Sequence, residues 1–281
     1  MTTHWPLPRR VRVSADGGSL EWEYGTAKEH AAPELRARRR RTLLFRFIRL
    51  GRELGEGQIE LYPKRVESFA QGWGVFHHHG KLGAGQRGQD DLKRWARTVG
   101  SYRGVLGLTH ALRASRPPSL DDLRLAMGLF PRGVRDPRVG VVQLACWSAI
   151  GLLGNSSSAA ESEENLVRVA RHAVRLATQT ALLASGTGPV VELDPANTGF
   201  TMGVRCNSLA SALASALLYA VLGAEGAPAF CASCGNPHSP DRRTTAGRRS
   251  FCKRCRQDGA PLRLASADYR ERRREATGSR G

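Results

Sequence analysis

Residues 89–115 read QDDLKRWARTVGSYRGVLGLTHALRAS, and this stretch sets the fold class. It predicts one long helix: no proline interrupts it, and Pro117-Pro118 supplies the stop. The segments on either side repeat the pattern. RTLLFRFIRLGR (41–52) places Leu43, Leu44, Phe47 and Ile48 on one side of a helix, with Arg46, Arg49 and Arg52 on the other. A glycine-flanked break at 51–57 separates it from QIELYPKRVESFAQGWGVF (58–76), read as a second helix with Pro63 near its first turn. SLDDLRLAMGLF (119–130) begins with Ser119 as N-cap and two early acids, a helix-start signature.

Further along, an apolar helix is expected at about 139–153. A serine-rich link then leads to NLVRVARHAVRLATQTALLA (165–184), whose apolar residues recur at three and four. GPVVELDPANTGFTMGVRC (188–206) carries strand and turn chemistry and reads as a β-hairpin. NSLASALASALLYAVLGA (207–224) is a helix of small residues suited to close packing. The expected fold is mainly α: an N-terminal arm over 1–33 with one short strand in SLEWEY, then a helical domain of about seven helices and one hairpin over 34–226.

The bulk numbers suit a folded soluble chain of 281 residues, 41% hydrophobic and 6% aromatic. The formal net charge is +18, from 43 Lys and Arg against 25 Asp and Glu. Residues 231–281 concentrate it, with 13 basic and five acidic side chains. An excess of this size favours a polyanionic partner, nucleic acid before a membrane surface. The N-terminus has no apolar core of signal-peptide length, and no segment approaches the apolar length of a membrane span.

Behind the Gly- and Pro-bearing boundary at 223–230 comes FCASCGNPHSPDRRTTAGRRSFCKRCR, residues 230–256. Cys231-x2-Cys234-x17-Cys252-x2-Cys255 has the spacing of a four-cysteine zinc site. Each C-x-x-C turns two sulfurs toward one ion, and Gly235 supplies the permissive backbone after the first pair. With four protein ligands the ion has no open position, so the Zn2+ is structural. A ribbon over 227–259 and a basic tail over 260–281 follow. Thiolate ligands need a reducing compartment, which places the protein in the cytoplasm. Cys146 and Cys206, beside apolar helical stretches, read as small buried hydrophobes. His238 is a fifth candidate ligand, set aside because the cysteine set is complete. Phe230 and Phe251, each just ahead of a pair, are read as the ribbon's miniature core.

Around the ligands lie Arg242, Arg243, Arg248, Arg249, Lys253, Arg254 and Arg256, opposed only by Asp241 and Asp258. These are the expected phosphate contacts of a nucleic-acid-binding unit. The later run SADYRERRREATGSR adds Arg270, Arg272, Arg273 and Arg274 on a short helix or arm.

The stretch CASCGNPHSPDRRTTAGRRSFCKRC resembles the C-terminal ribbons of bacterial proteins in which a helical body precedes C-x-x-C-G, a Pro/Arg-rich loop, an R-R-aromatic-C step and a last C-x-x-C. It is more distantly similar to the zinc fingers named for a C-G-N-R signature, and departs from them at Pro237, where the signature has Arg. The resemblance spans about thirty residues. It implies metal ligation by the four cysteines, and a DNA-binding transcription regulator as the kind of protein.

Other patterns are weaker. GAGQRG (Gly83–Gly88) matches G-x-G-x-x-G formally, but lacks a preceding strand and a well-placed acid, so it reads as a glycine loop. Three adjacent histidines, His77, His78 and His79, cannot share one ion without help from residues such as His110 or Asp90; a solvated loop is the expectation. Arg36–Arg41 goes round all sides of its segment and reads as a solvated lead-in. There is no H-E-x-x-H, P-loop or G-x-S-x-G, so catalysis is not the expectation. The functional expectation is a DNA-binding regulator whose helical body senses or dimerises. Two alternatives stand beside it: a protein-interaction module with a structural zinc ribbon, and an enzyme with its site in the helical domain.

Overall fold

A computed structural model describes residues 5, 7–24, 37–55, 57–76, 86–129, 159–193, 200–223, 229–234, 237–238 and 249–278. Helices dominate, with four small antiparallel sheets among the described residues. The long helix is α3, Leu92–Arg113. Asp91 caps it, accepting from the backbone N–H of Lys93 at 2.8 Å. Its apolar residues do not keep to one stripe: Trp95, Val99, Tyr102, Val105, Leu106 and Leu108 are all buried. A helix buried on several sides is the centre of a core.

Neighbours pack around it. In α1 (Ala37–Ile48) the predicted buried face is correct: Leu43, Leu44, Phe47 and Ile48 are buried, while Arg46 and, just past the helix end, Arg49 are exposed. The helix stops at Ile48, however, so Arg52 does not share that face. It lies on strand β3 (Gly51–Gly55), which pairs with β4 (Gln58–Leu61), and its guanidinium meets Glu60 across the hairpin. The break at 51–57 is therefore a hairpin. The following helix, α2 (Pro63–Trp73), carries Pro63 in its first turn as expected, and Gln58–Leu61 ahead of it is strand rather than helix.

Helix α4 (Leu120–Ala126) begins at the predicted cap, with the Ser119 hydroxyl accepting from the Asp121 N–H. It lies so close to α3 that a Cβ on Gly104 would stand 2.4 Å from the Ala126 nitrogen and the Asp122 carbonyl oxygen. Only glycine permits that approach. Helix α5 (Ala159–Ala184) buries Val169, Ala170, Ala173, Val174, Ala177 and Ala181 against the same core. The expected hairpin is present as β6 (Gly188–Leu193) and β7 (Phe200–Arg205). Helix α6 (Leu209–Val221) follows a Ser208–Ser211 capping box, and its small residues pack against α1 and α5. Cys206, just ahead of it, is buried as expected. The apolar helix expected at 139–153, and Cys146 with it, lie outside the described residues.

The first thirty residues do more than form one short strand. β1 (Pro8–Val13) pairs with β2 (Ser19–Tyr24), and β2 pairs with β5 (Arg87–Asp91) in a three-stranded sheet. Trp5, Leu20, Trp22 and Tyr24 join the main core, and the Trp5 indole N–H donates to the Trp73 carbonyl at 2.8 Å. Gly88, the last residue of the G-x-G-x-x-G match, sits in β5 opposite Trp22, whose ring a Cβ would meet at 2.3 Å. Its role is to receive an indole. Asp90 is likewise structural: buried, its carboxylate accepts from the Phe76 N–H and the Trp95 indole. The three histidines 77–79 lie outside the described residues. No described helix is long and apolar enough to cross a membrane.

Candidate metal centre

Beyond α6 the chain makes a two-residue ladder, β8 (Ala229–Phe230) against β9 (Pro237–His238), then two helices, α7 (Lys253–Gln257) and α8 (Ala260–Gly278). Cys231 follows β8 directly, and Cys234 ends the turn after it. Cys252 is the N-cap residue of α7, and Cys255 lies within that helix. The two knuckles are tied by backbone, since the Ala232 N–H donates to the Ser250 carbonyl at 2.7 Å.

The ligand atoms of Cys231, Cys234, Cys252 and Cys255 lie within 4.8 Å of one another. The Cys234 and Cys252 sulfurs are 3.9 Å apart. A tetrahedron with metal–sulfur distances of about 2.3 Å has S···S edges of about 3.8 Å. A disulfide would need about 2.0 Å, and none of the four cysteines is in one. The four thiols therefore fit one tetrahedral ion and could hold it. Cys231 and Cys255 are buried and Cys234 is exposed, so the cluster is half sunk into the protein.

The environments of the sulfurs differ. Burial pushes the Cys231 thiol up, but the backbone at Cys234, Cys252 and Ser233 hydrogen-bonds its sulfur and holds it down at about 6. Burial raises Cys255 to about 12, reinforced by the neighbouring thiols of Cys252, Cys234 and Cys231. Four thiols this close cannot all ionise unless a cation shares their charge.

His238 is not in the group. Its Nε2 lies 3.0 Å from the Ser250 hydroxyl, an internal bond of the unit. The two phenylalanines part company. Phe251 packs on the cysteine cluster, as expected, whereas Phe230 belongs to the main core. Its ring lies 5.9 Å from that of His110 on α3. The cysteine unit is thus seated on the helical body, with β8 and β9 against α3 and α1. His110 is held down to about 4 by burial first, then by Arg116, Arg113 and His238, so it presents a neutral ring to Phe230.

Of the seven basic residues expected to contact phosphate, Arg242, Arg243 and Arg248 lie outside the described residues. Lys253, Arg254 and Arg256 are exposed together on α7, one turn from the cysteines. Arg254 stands 3.8 Å from Asp258, an exposed pair of little energetic weight. Arg249 is engaged internally: its guanidinium makes two bonds, 2.7 and 3.1 Å, to the Asp268 carboxylate on α8. Neither Asp268 nor His110 was legible as a partner of this unit, because both are joined to it only through the fold.

No family model, no curated protein and no solved structure matches this chain. The cysteine geometry and the charge around it are the ground for a functional reading.

Proposed function

We propose that the four cysteines bind a structural Zn2+ and that the unit they fold is the nucleic-acid-binding head of a DNA-binding regulator, with the helical body as its sensing or dimerising part. The observation that carries the reading is the placement of Lys253, Arg254 and Arg256. They are exposed side by side on a five-residue helix that also supplies Cys255. Zn2+ rather than a harder cation suits four thiols, because thiolate is a soft ligand. Closed ligation leaves no site for water, so the ion's contribution is to rigidity. It holds three cations in one place, and a rigid basic unit contacts phosphate at lower entropic cost than a loose tail. A reducing cytoplasm keeps the thiols available.

The test is fluorescence anisotropy of Zn2+-loaded full-length protein on duplex DNA at several salt concentrations. The expected affinity falls with salt, and K253A/R254A/R256A flattens the log–log slope by about three. Salt-independent binding, or no binding at low salt, overturns the reading.

A further inference from the structure

We propose that α8, the 19-residue C-terminal helix, is the element that enters the major groove of duplex DNA, and that Arg249 and Asp268 set the angle at which it does so. This rests on the nucleic-acid reading above and names the reading element and the form of its ligand.

The helix is anchored at one end. Ala260, in its first turn, is buried against Cys231 and Cys255. Gly259 turns the chain from α7 into α8 at φ +69°, a left-handed conformation that glycine adopts without strain. The Arg263 guanidinium donates back to the Asp258 carbonyl across that turn. Two turns further on, Arg249 takes hold of Asp268. The metal unit thus grips α8 at two points along its axis, and two points fix a direction.

One side of the helix faces solvent, both between the two grips and just beyond them. Tyr269 is 61% exposed, Leu262 is 76% exposed, and Arg263, Arg270 and Arg273 are exposed. The charges are only partly sorted by register, because Arg272, four residues past Asp268, falls on the acids' side. The acids of the helix occupy positions 268, 271 and 275, spaced i, i+3 and i+7 on the stripe that begins at the Arg249 contact. Arg263, Arg270 and Arg273, spaced i, i+7 and i+10, share a different stripe with Leu262 and Tyr269 nearby. Asp268 faces the protein's own arginine, and Arg263, Arg270, Arg273 and the Tyr269 ring lie on another side of the helix.

A helix of this length is about 28 Å long and about 10–12 Å across with its side chains. The B-form major groove is about 12 Å wide, whereas the A-form groove of duplex RNA is too narrow to admit side chains. A membrane surface would require a broad apolar face, and this face carries only Leu262 and Tyr269 among arginines. With α8 in the groove, Lys253, Arg254 and Arg256 at its root are placed for the flanking phosphates. Arg249 is then a positioning residue rather than a phosphate contact.

The experiment uses Zn2+-loaded full-length protein, a mixed-sequence DNA duplex of about 30 base pairs and an RNA duplex of the same length. R270A/R273A and, separately, Y269A are expected to bind DNA ~10-fold or more weakly, and the arginine pair to flatten the salt slope by about two. Circular dichroism and metal content should be unchanged. R249D is expected to weaken binding to a similar degree, and the charge-swapped R249D/D268R to restore it. If the swap stays as weak as R249D, Arg249 acts on the phosphate itself and the positioning role falls. If R270A/R273A and Y269A bind as the wild type does, α8 is not the reading element, while the nucleic-acid reading stands. Equal loss on the RNA duplex overturns the major-groove assignment. If the wild-type protein binds neither duplex at low salt, this inference and the reading beneath it fall together.

Discussion

Arg249, just ahead of the second cysteine pair, grasps Asp268 nineteen residues later through two N–H···O bonds of 2.7 and 3.1 Å. Both side chains are about two-fifths exposed. Solvent therefore takes back most of the Coulomb energy, and the bidentate geometry leaves mainly a directional constraint. D268N should lower global stability by less than about 1 kcal/mol. It should nonetheless speed amide exchange along α8, measured by hydrogen–deuterium exchange with mass spectrometry. A loss of several kcal/mol, or unchanged exchange in α8, would show that the pair does not tether that helix.

Metal removal should act on a wider region than the ligands. Phe230 precedes Cys231 directly and belongs to the main core, so the cysteine turn and the body share one chain direction. If the four thiols hold Zn2+ as proposed, its apparent binding energy, about 10–16 kcal/mol in small zinc modules, is also folding energy. Chelation, or C255S, is expected to abolish exchange protection in β8, β9, α7 and the first turn of α8. The centre of α3 should stay protected because its core contacts do not involve the metal. Uniform loss across α3 would show one cooperative unit instead.

His110 gives the junction a pH dependence. Its folded value, about 4, lies below the ordinary histidine value of 6.5, burial being the main cause. A buried neutral histidine is protonated more readily in the unfolded chain, so stability is full above about pH 6.5 and falls toward pH 4. With its partial exposure, the effect amounts to about 1 kcal/mol. H110Q, which cannot be protonated, should lose less melting temperature than the wild type between pH 7.5 and 5, by roughly 2–4 °C. Both proteins are compared metal-loaded, so that acid release of the thiols is common to the two. Parallel losses would remove His110 as the cause.

What the sequence revealed follows the range of the interactions. The buried face of α1, the Ser119 cap and the C-x-x-C pairs depend on residues within about one or two turns of each other, and their spacing alone announces them. The β3–β4 hairpin escaped because Gln58–Leu61 is four residues long and continuous in composition with the helix after it. The N-terminal sheet escaped for a different reason. β2 finds its second partner only at Arg87–Asp91, across two helices and a hairpin, and no local pattern records that pairing. The same holds at the cysteine unit: the ligands were legible, but Asp268 and His110 are joined to it by tertiary contact alone. Arg249 shows the consequence, since composition marks it as a cation facing a partner molecule while the fold gives it a carboxylate of its own.

Asp122 should make the protein less stable as pH rises. It lies over Gly107 of α3, so close that a Cβ there would stand 2.3 Å from its Oδ1. Burial raises its carboxyl to about 7, helped by the nearby charge of Glu53 and opposed by Arg103. The sign is the reverse of the usual acid. A carboxyl whose folded value lies above its unfolded 3.8 binds its proton more tightly when folded, so its contribution is most favourable below about pH 4 and is lost as pH rises through about 7. D122N keeps the shape without the charge. It should therefore raise stability at pH 8 by roughly 2 kcal/mol and have little effect at pH 4.5, measured by urea denaturation. G107A tests the packing side of the same contact, and should cost about 1–3 kcal/mol at both pH values because the overlap does not depend on charge. A D122N effect equal at the two pH values would show that shape, not charge, governs the contact.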